Sequence, residues 1–268
     1  MERHKSIGIF DSGVGGLSIA EAINELLPEE NLIYFADIGF SPYGNKSTKI
    51  IKKRSKEIVK FLISQNCKLV VVACNTATVN SISNLRAETS IPIIGVEPAI
   101  KPAALQSKTG IIGVLATKQT IASRSFQNLR DKYSEKVSIK TKACPKFVTL
   151  VENLNHNSEQ ARTTAEQYIQ PLLSQNCDQI VLGCTHFSFL KTTIENIVGL
   201  NVNIIDTAVP VAKEVKNKLQ SNNLENTENT KGIVEFWVSG NSAQASESIN
   251  ELWEKDVKVS SIQQITPT

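Results

Sequence analysis

Long apolar stretches are missing from this sequence. Its longest apolar runs, such as Leu69–Cys74, are strand-sized, far short of the roughly 20 residues that a membrane-spanning helix requires. The opening residues, Met1–Ser6, are polar and lack the apolar core of a secretory signal. A cytoplasmic protein with no membrane partner is expected. A surplus of one charge sign is missing too: 29 basic residues face 26 acidic ones, for a net charge of +3. So mild a balance gives no argument for nucleic acid, which calls for a clustered basic face. The five cysteines, Cys67, Cys74, Cys144, Cys177 and Cys184, contain no C-x-x-C pair. An odd count without a secretion signal argues against a disulfide framework, and the spacing gives no support for structural zinc. Free thiols and no metal site are expected.

What is present is 268 residues, 41% apolar and 21% charged, enough to bury one large core or two ordinary ones. Branched apolar runs alternate with longer amphipathic stretches. Ile7–Phe10, Leu32–Phe35, Leu69–Val72 and Ile93–Val96 read as strands. Helices are expected over about 18–27 and 47–64. The pattern then starts again. Ile111–Leu115, Val137–Thr141, Ile180–Leu182 and Val202–Ile205 read as strands, with helices over 120–132 and 163–174. Residues 221–231 read as a polar loop, Phe236–Val238 as a late strand, and Thr266–Thr268 as a loose tail. Uninterrupted branched runs suit strands covered on both faces, as in parallel sheets. The βαβα order implies α/β sandwiches with right-handed crossovers.

An internal repeat organises the chain. Residues 63–74, ISQNCKLVVVAC, align without a gap to residues 173–184, LSQNCDQIVLGC. A fainter echo pairs Ile7–Ser12 with Ile112–Thr117. Two related α/β domains with mostly parallel sheets are expected, 1–97 plus 208–268 and 98–207, with the active site in the cleft between them. Each presents a cysteine at the carboxyl end of an equivalent strand, where open α/β sheets place ligands.

Cys74 is followed by Asn75 and Thr76, and Cys184 by Thr185 and His186. A strand running into small polar residues reads as a strand-to-helix turn, whose N–H groups favour a carboxylate. They also favour a thiolate, but a helix end is worth at most about 2 kcal/mol. A free thiol of pKa about 8.5 is only about 3% ionised at pH 7, so neighbouring groups must share in setting the acidity. Cys67 and Cys177 sit seven residues earlier, at the opposite ends of the strands, and read as packing residues. Asp11-Ser-Gly-Val-Gly-Gly16 follows the first strand and is neither G-x-G-x-x-G nor a Walker loop. Asp11 either caps a helix or orients a proton-transferring neighbour. His186 either tunes Cys184 or is structural. Asp37, at the end of the second strand, precedes the turn Phe40-Ser-Pro-Tyr-Gly44.

Together, Asp11–Gly16, Pro42–Gly44, Cys74–Ala77, Gly95–Pro98 and Gly183–His186 resemble the glutamate racemase family. The resemblance runs in order from about Ile7 to Leu219. Asp206–Ala208 and Phe236–Gly240 are similar to later motifs of that family. Cys-Thr-His at 184–186 is similar to glutamate racemases, whereas aspartate racemases usually carry Cys-Thr-Glu.

The resemblance implies racemisation of L- or D-glutamate by two cysteines without a cofactor, supplying D-glutamate for peptidoglycan. It implies that Cys74 and Cys184 act on opposite faces, Asp11 assisting the first and His186 the second. It places Ser12, Tyr43, Gly44, Asn75, Thr76 and Thr185, with Asp11 and His186, at the substrate. It adds Asp37, Glu152 and Thr117 as supporting residues, and a homodimer. Ser188, Thr78, Lys146 and Thr149 depart from the family pattern. A racemase of aspartate or a hydantoin, a binding relative without turnover, and a thiol redox protein are the alternatives.

Overall fold

The computed structural model describes residues 2–262, so the tail Thr266–Thr268 lies outside the described residues. The chain begins with β1 (Ile7–Asp11), α1 (Leu17–Leu26), β2 (Leu32–Ala36), α2 (Thr48–Ser64), β3 (Leu69–Val72), α3 (Asn75–Glu88) and β4 (Ile93–Gly95). It continues with α4 (Ile100–Gln106), β5 (Ile111–Ala116), α5 (Lys118–Ala122), α6 (Arg124–Tyr133), β6 (Ser138–Ala143), α7 (Pro145–Glu152), α8 (Glu159–Leu173), β7 (Gln179–Gly183), α9 (Lys191–Val198) and β8 (Asn203–Ile205). It closes with α10 (Ala208–Ser221), β9 (Val234–Ser239), α11 (Ser242–Trp253) and β10 (Val259–Ile262). Among the described residues no helix is long and apolar enough to cross a membrane.

Two sheets form, and every strand pairing within them is parallel. The first runs β10-β9-β2-β1-β3-β4 and the second β6-β5-β7-β8. The run β2-β1-β3-β4 repeats as β6-β5-β7-β8, so β3 and β7 are equivalent strands. The sequence repeat is therefore a repeat of structure. All residues of β1, β2, β3 and β7 are buried, as branched strands covered on both faces must be.

The identical Ser-Gln-Asn-Cys segments share one backbone job. Asn66 and Asn176 both adopt φ 60°, the left-handed conformation that asparagine tolerates where a helix ends. Cys67 N–H then bonds Leu62 C=O at 3.1 Å and Cys177 N–H bonds Leu172 C=O at 3.3 Å. Each turn stops a helix and launches the strand that carries a site cysteine. Cys67 and Cys177 are buried beneath those turns, and burial raises their thiols to about 12 and about 11. One apolar core then joins the two sheets. Ile9, Val14 and Leu17 of the first half belong to the same buried cluster as Phe147, Phe187 and Leu190 of the second.

The helix expected over 120–132 is two helices. Ser123 ends α5 with an extended backbone and its hydroxyl accepts from Phe126 N–H at 3.1 Å, capping α6. Serine competes for backbone donors in this way wherever a helix can break. The helix expected from 163 begins earlier, at Glu159, because Ser158 caps Ala161 N–H at 3.2 Å.

Candidate active site

Adjacent strands β1 and β3 deliver the first half of the site. β1 ends at Asp11, and the chain leaving β3 reaches Cys74, which caps α3. Cys74 Sγ accepts from Ala77 N–H at 3.4 Å and donates to Ser12 Oγ at 3.6 Å. Asp11 is fully buried and accepts from the N–H groups of Ser12 and Gly16, both at 2.7 Å. Thr185 Oγ1, from the other half, donates to the same carboxylate at 3.4 Å. Burial raises the Asp11 carboxyl above the ordinary aspartate value, although His186, Cys74 and the two N–H groups oppose the rise. Burial, followed by the charge of Asp11, holds the Cys74 thiol well above its usual value. Cys74 rests as a thiol beside the buried Asp11 carboxyl.

The second half is built from β7 and α7. Cys184 follows β7, and its Sγ lies 3.8 Å from His186 Nδ1. His186 Nε2 lies 2.6 Å from Glu152 Oε1, at the last residue of α7. Glu152 Oε1 also accepts from Val14 N–H at 3.4 Å. Burial alone would depress the His186 pKa, but hydrogen bonds to Cys184 and Glu152 and their charges hold it well above the ordinary histidine value. The glycines of the first loop make room for this chain of contacts. A Cβ on Gly13 would collide with the Glu152 carboxylate, and one on Gly15 with the His186 ring.

These two halves face one cavity of about 180 Å³. Cys74, Cys184, Ser12, Thr76, Thr185 and His186 form its buried wall. Tyr43 and Gly44 enter from the turn after β2, and Gly44 lies against Thr117. The hydroxyls of Thr76 and Thr117 are 3.0 Å apart and both reach Thr120. Asp11 and Glu152 stand behind the wall as partners of its cysteine and histidine. The Asn75 side chain turns away and donates to Val96 C=O at 3.3 Å, and Asn75, expected at the substrate, does not line the cavity. Asp37 is buried outside the lining. It accepts from Tyr43 Oη at 2.5 Å, from Arg54 at 3.1 and 2.6 Å, and from Ser239 Oγ at 2.6 Å. Asp37 thus fixes Tyr43, and Tyr43 faces the cavity.

Sequence reading missed Lys118, Pro145 and Asn45 on the lining, and Arg54 and Thr120 behind it. Lys146 and Thr149 also line the cavity; their departure from the family pattern was the only signal for them. Arg54 lies within the lysine-rich run Lys52–Lys56, which reads as a solvated helix face. Among the described residues no group of three or more His, Cys, Asp or Glu side chains is arranged to hold a metal ion. All five cysteines are free thiols.

Residues 7–215 match the family model for Asp/Glu/hydantoin racemase. A glutamate racemase of Methylococcus capsulatus is 42% identical over 247 residues, covering 92% of this chain and 91% of that protein. The crystal structure of a glutamate racemase from Bacillus anthracis superposes with a TM-score of 0.89 at 31% identity, covering 98% of this chain and 99% of that one. The glutamate racemase of Francisella tularensis, solved in complex with D-glutamate, gives a TM-score of 0.87 at 28% identity, covering 99% and 100%. The chain belongs to the Asp/Glu/hydantoin racemase family and, within it, to the glutamate racemases, isomerases that interconvert L- and D-glutamate.

Proposed function

We propose that the protein racemises glutamate through two thiols acting on opposite faces of the α-carbon, with no cofactor taking part. One observation carries this reading: two cysteines at equivalent strand ends line a single cavity, each with its own titratable neighbour, Asp11 for Cys74 and His186 for Cys184. Inverting a stereocentre through a planar intermediate needs a base on one face and an acid on the other. On the first face, Cys74 passes its proton to Asp11 and the thiolate takes the α-proton. On the second face, the Cys184 thiol delivers a proton to the α-carbon, and His186 replaces it. In the reverse direction the same groups exchange roles. Glu152 orients His186 and favours its charged form, the part a carboxylate plays behind any catalytic imidazole.

Charge develops on the α-carboxylate as the proton leaves. The first N–H groups after each cysteine, those of Asn75 and Thr76 and of Thr185 and His186, have no partner inside their own helical turns. They aim fixed dipoles at a bound carboxylate and stabilise the developing charge without reorganising. Ser12, Tyr43, Gly44 and Thr117 complete the walls around the substrate.

The two structural units are 1–97 plus 208–268 and 98–207, and the working form is a homodimer. The product serves peptidoglycan synthesis in the cytoplasm. The test is a chiral assay of purified protein with L- or D-glutamate and no added pyridoxal phosphate. Both enantiomers should approach the same equal mixture, and aspartate should not. Failure to convert glutamate, or conversion only after the cofactor is added, would refute the reading.

A further inference from the structure

The late strand β9 lies outside residues 7–215, the span of the family match, yet it reaches the back of the site. Its ladder with β2 pairs Val238 with Ala36, so the next residues, Ser239 and Asp37, stand side by side where the two strands end. The Ser239 hydroxyl donates to Asp37 Oδ1 at 2.6 Å and accepts from Gly39 N–H at 3.1 Å. Gly39 permits the approach, since a Cβ there would stand only 3.3 Å from the Ser239 hydroxyl. Arg54 arrives from α2. Its guanidinium donates to both oxygens of Asp37, at 3.1 and 2.6 Å, and lies 4.0 Å from the centre of the Phe40 ring. A carboxylate and an aromatic face are the surfaces a guanidinium suits best. Arg54 therefore holds both ends of the turn that enters the cavity, Phe40 by its ring and Tyr43 through Asp37.

Asp37 Oδ1 accepts from Arg54 and Ser239, and Oδ2 from Arg54 and Tyr43. The two oxygens of a carboxylate offer about four acceptor positions, and these four donors fill them. No lone pair is left to take a proton from a substrate, so Asp37 is an anchor and not a base. A carboxylate only accepts, so the Tyr43 hydroxyl spends its proton on Asp37. What Tyr43 brings to the cavity is a fixed ring and the backbone running on to Gly44, and both residues line it.

We propose that Arg54 and Ser239 are positioning residues for the racemisation, fixing Asp37 from two elements so that the Tyr43–Gly44 wall is in place before the substrate arrives. This rests on the proposed reading that glutamate occupies the cavity. Neither residue lines that cavity, so the pair acts on the fit of the substrate and not on proton transfer. A site held in shape by its supporting residues binds without first ordering them.

Ser239→Ala removes one donor from the anchor and leaves the charge pair intact. Steady-state racemisation of L- and D-glutamate by wild type, Ser239→Ala, Tyr43→Phe and their double variant tests the route. Ser81→Ala is the control, because Ser81 is also buried and donates to Ser55 Oγ at 3.2 Å, with no bond to Asp37. KM should rise about fivefold in Ser239→Ala, the worth of one buried hydrogen bond, with kcat and both limbs of the pH–rate profile unchanged. Ser81→Ala should keep the wild-type KM. Arg54→Lys keeps the charge but loses the fork, and should raise KM to a similar extent. Since Ser239 acts through Tyr43, its loss should add nothing once residue 43 is phenylalanine. Hydrogen exchange read by mass spectrometry needs no turnover. The backbone of residues 38–45 should exchange faster in Ser239→Ala than in wild type, and at the wild-type rate in Ser81→Ala. A wild-type KM in Ser239→Ala, or KM increases that multiply in the double variant, would overturn the proposal. So would unchanged exchange over residues 38–45, or a shifted pH–rate limb, which would make Asp37 part of the proton traffic. If wild type does not racemise glutamate while the exchange result holds, the functional reading fails and the anchor stands.

Discussion

His186 Nε2 lies 2.6 Å from Glu152 Oε1, with the histidine side chain 3% exposed and the glutamate 20%. This contact ties α7 to the turn after β7 and sets the charge state of the imidazole beside Cys184. The groups facing the ring are Glu152 and Cys184, with Asp11 at longer range. Replacing Glu152 by Gln removes a charge that favours imidazolium, so the His186 pKa falls. The expected result is a loss in kcat/KM on the order of 10²-fold and an alkaline limb that moves to lower pH. A pH–rate profile of the variant checks both.

The same pair gives a stability signature. The folded pKa of His186 lies well above the unfolded value of about 6.5. Its stabilising contribution is therefore full below that value and is lost as pH rises through the folded pKa. The melting temperature of wild type should exceed that of Glu152→Gln by more at about pH 6 than at about pH 9.5. Thermal melts of the two proteins across that range read the difference directly.

Cys74 should resist alkylation in the unliganded protein. Burial and the neighbouring Asp11 charge raise its thiol, so the reactive thiolate is scarce near neutrality. Asp11→Asn removes the like charge but also the proton acceptor. Iodoacetamide labelling followed by peptide mass analysis should show faster Cys74 modification in that variant, together with lost turnover.

Gly13→Ala and Gly15→Ala should each lower activity by about 10²-fold, because the added methyl displaces Glu152 or His186 from its partner. Gly110→Ala is the contrast. Its φ of 71° strains any L side chain, yet nothing lies within 4 Å of the new methyl. It should cost about 1–2 kcal/mol of stability and leave turnover intact. Kinetics and chemical denaturation of the three variants separate the two effects.

Arg54→Met should destabilise the fold by about 3–5 kcal/mol, since it leaves the fully buried Asp37 carboxylate without its cation. Tyr43→Phe removes one hydrogen bond to the same carboxylate and should cost about 1–3 kcal/mol. Urea denaturation orders the two.

The parts of this molecule legible in its sequence are those with short-range causes. Branched strand runs and the Ser-Gln-Asn-Cys repeat announced two related sheets and the paired thiols, because a capped helix end and a buried strand are local events. Asp11 ends its strand and Ser12 follows it directly, and both were legible for the same reason. Glu152 could be found only by resemblance, since 34 residues separate it from His186 and only the docking of α7 unites them. Asp37 was placed at the ligand end of a strand, but its hydrogen bonds to Arg54 and Ser239 come from a distant helix and a late strand. Lys118 carries no local signal at all; its cavity exists only after α5 meets the turn at Tyr43 and Gly44. The break at Ser123 was missed because a serine inside an amphipathic stretch is compatible with either a continuous helix or a cap.

The central claim is that Cys74 and Cys184 serve opposite faces of one α-carbon. The most direct test is deuterium uptake at that carbon in D₂O, with L- and D-glutamate supplied separately to wild type, Cys74→Ser and Cys184→Ser. Wild type should take up solvent deuterium while racemising. Each variant should lose racemisation by about 10²–10⁴-fold, and any residual exchange should be confined to one enantiomer, the opposite one in each variant. Racemisation that survives in either variant, or residual exchange of the same enantiomer in both, would contradict the two-thiol account.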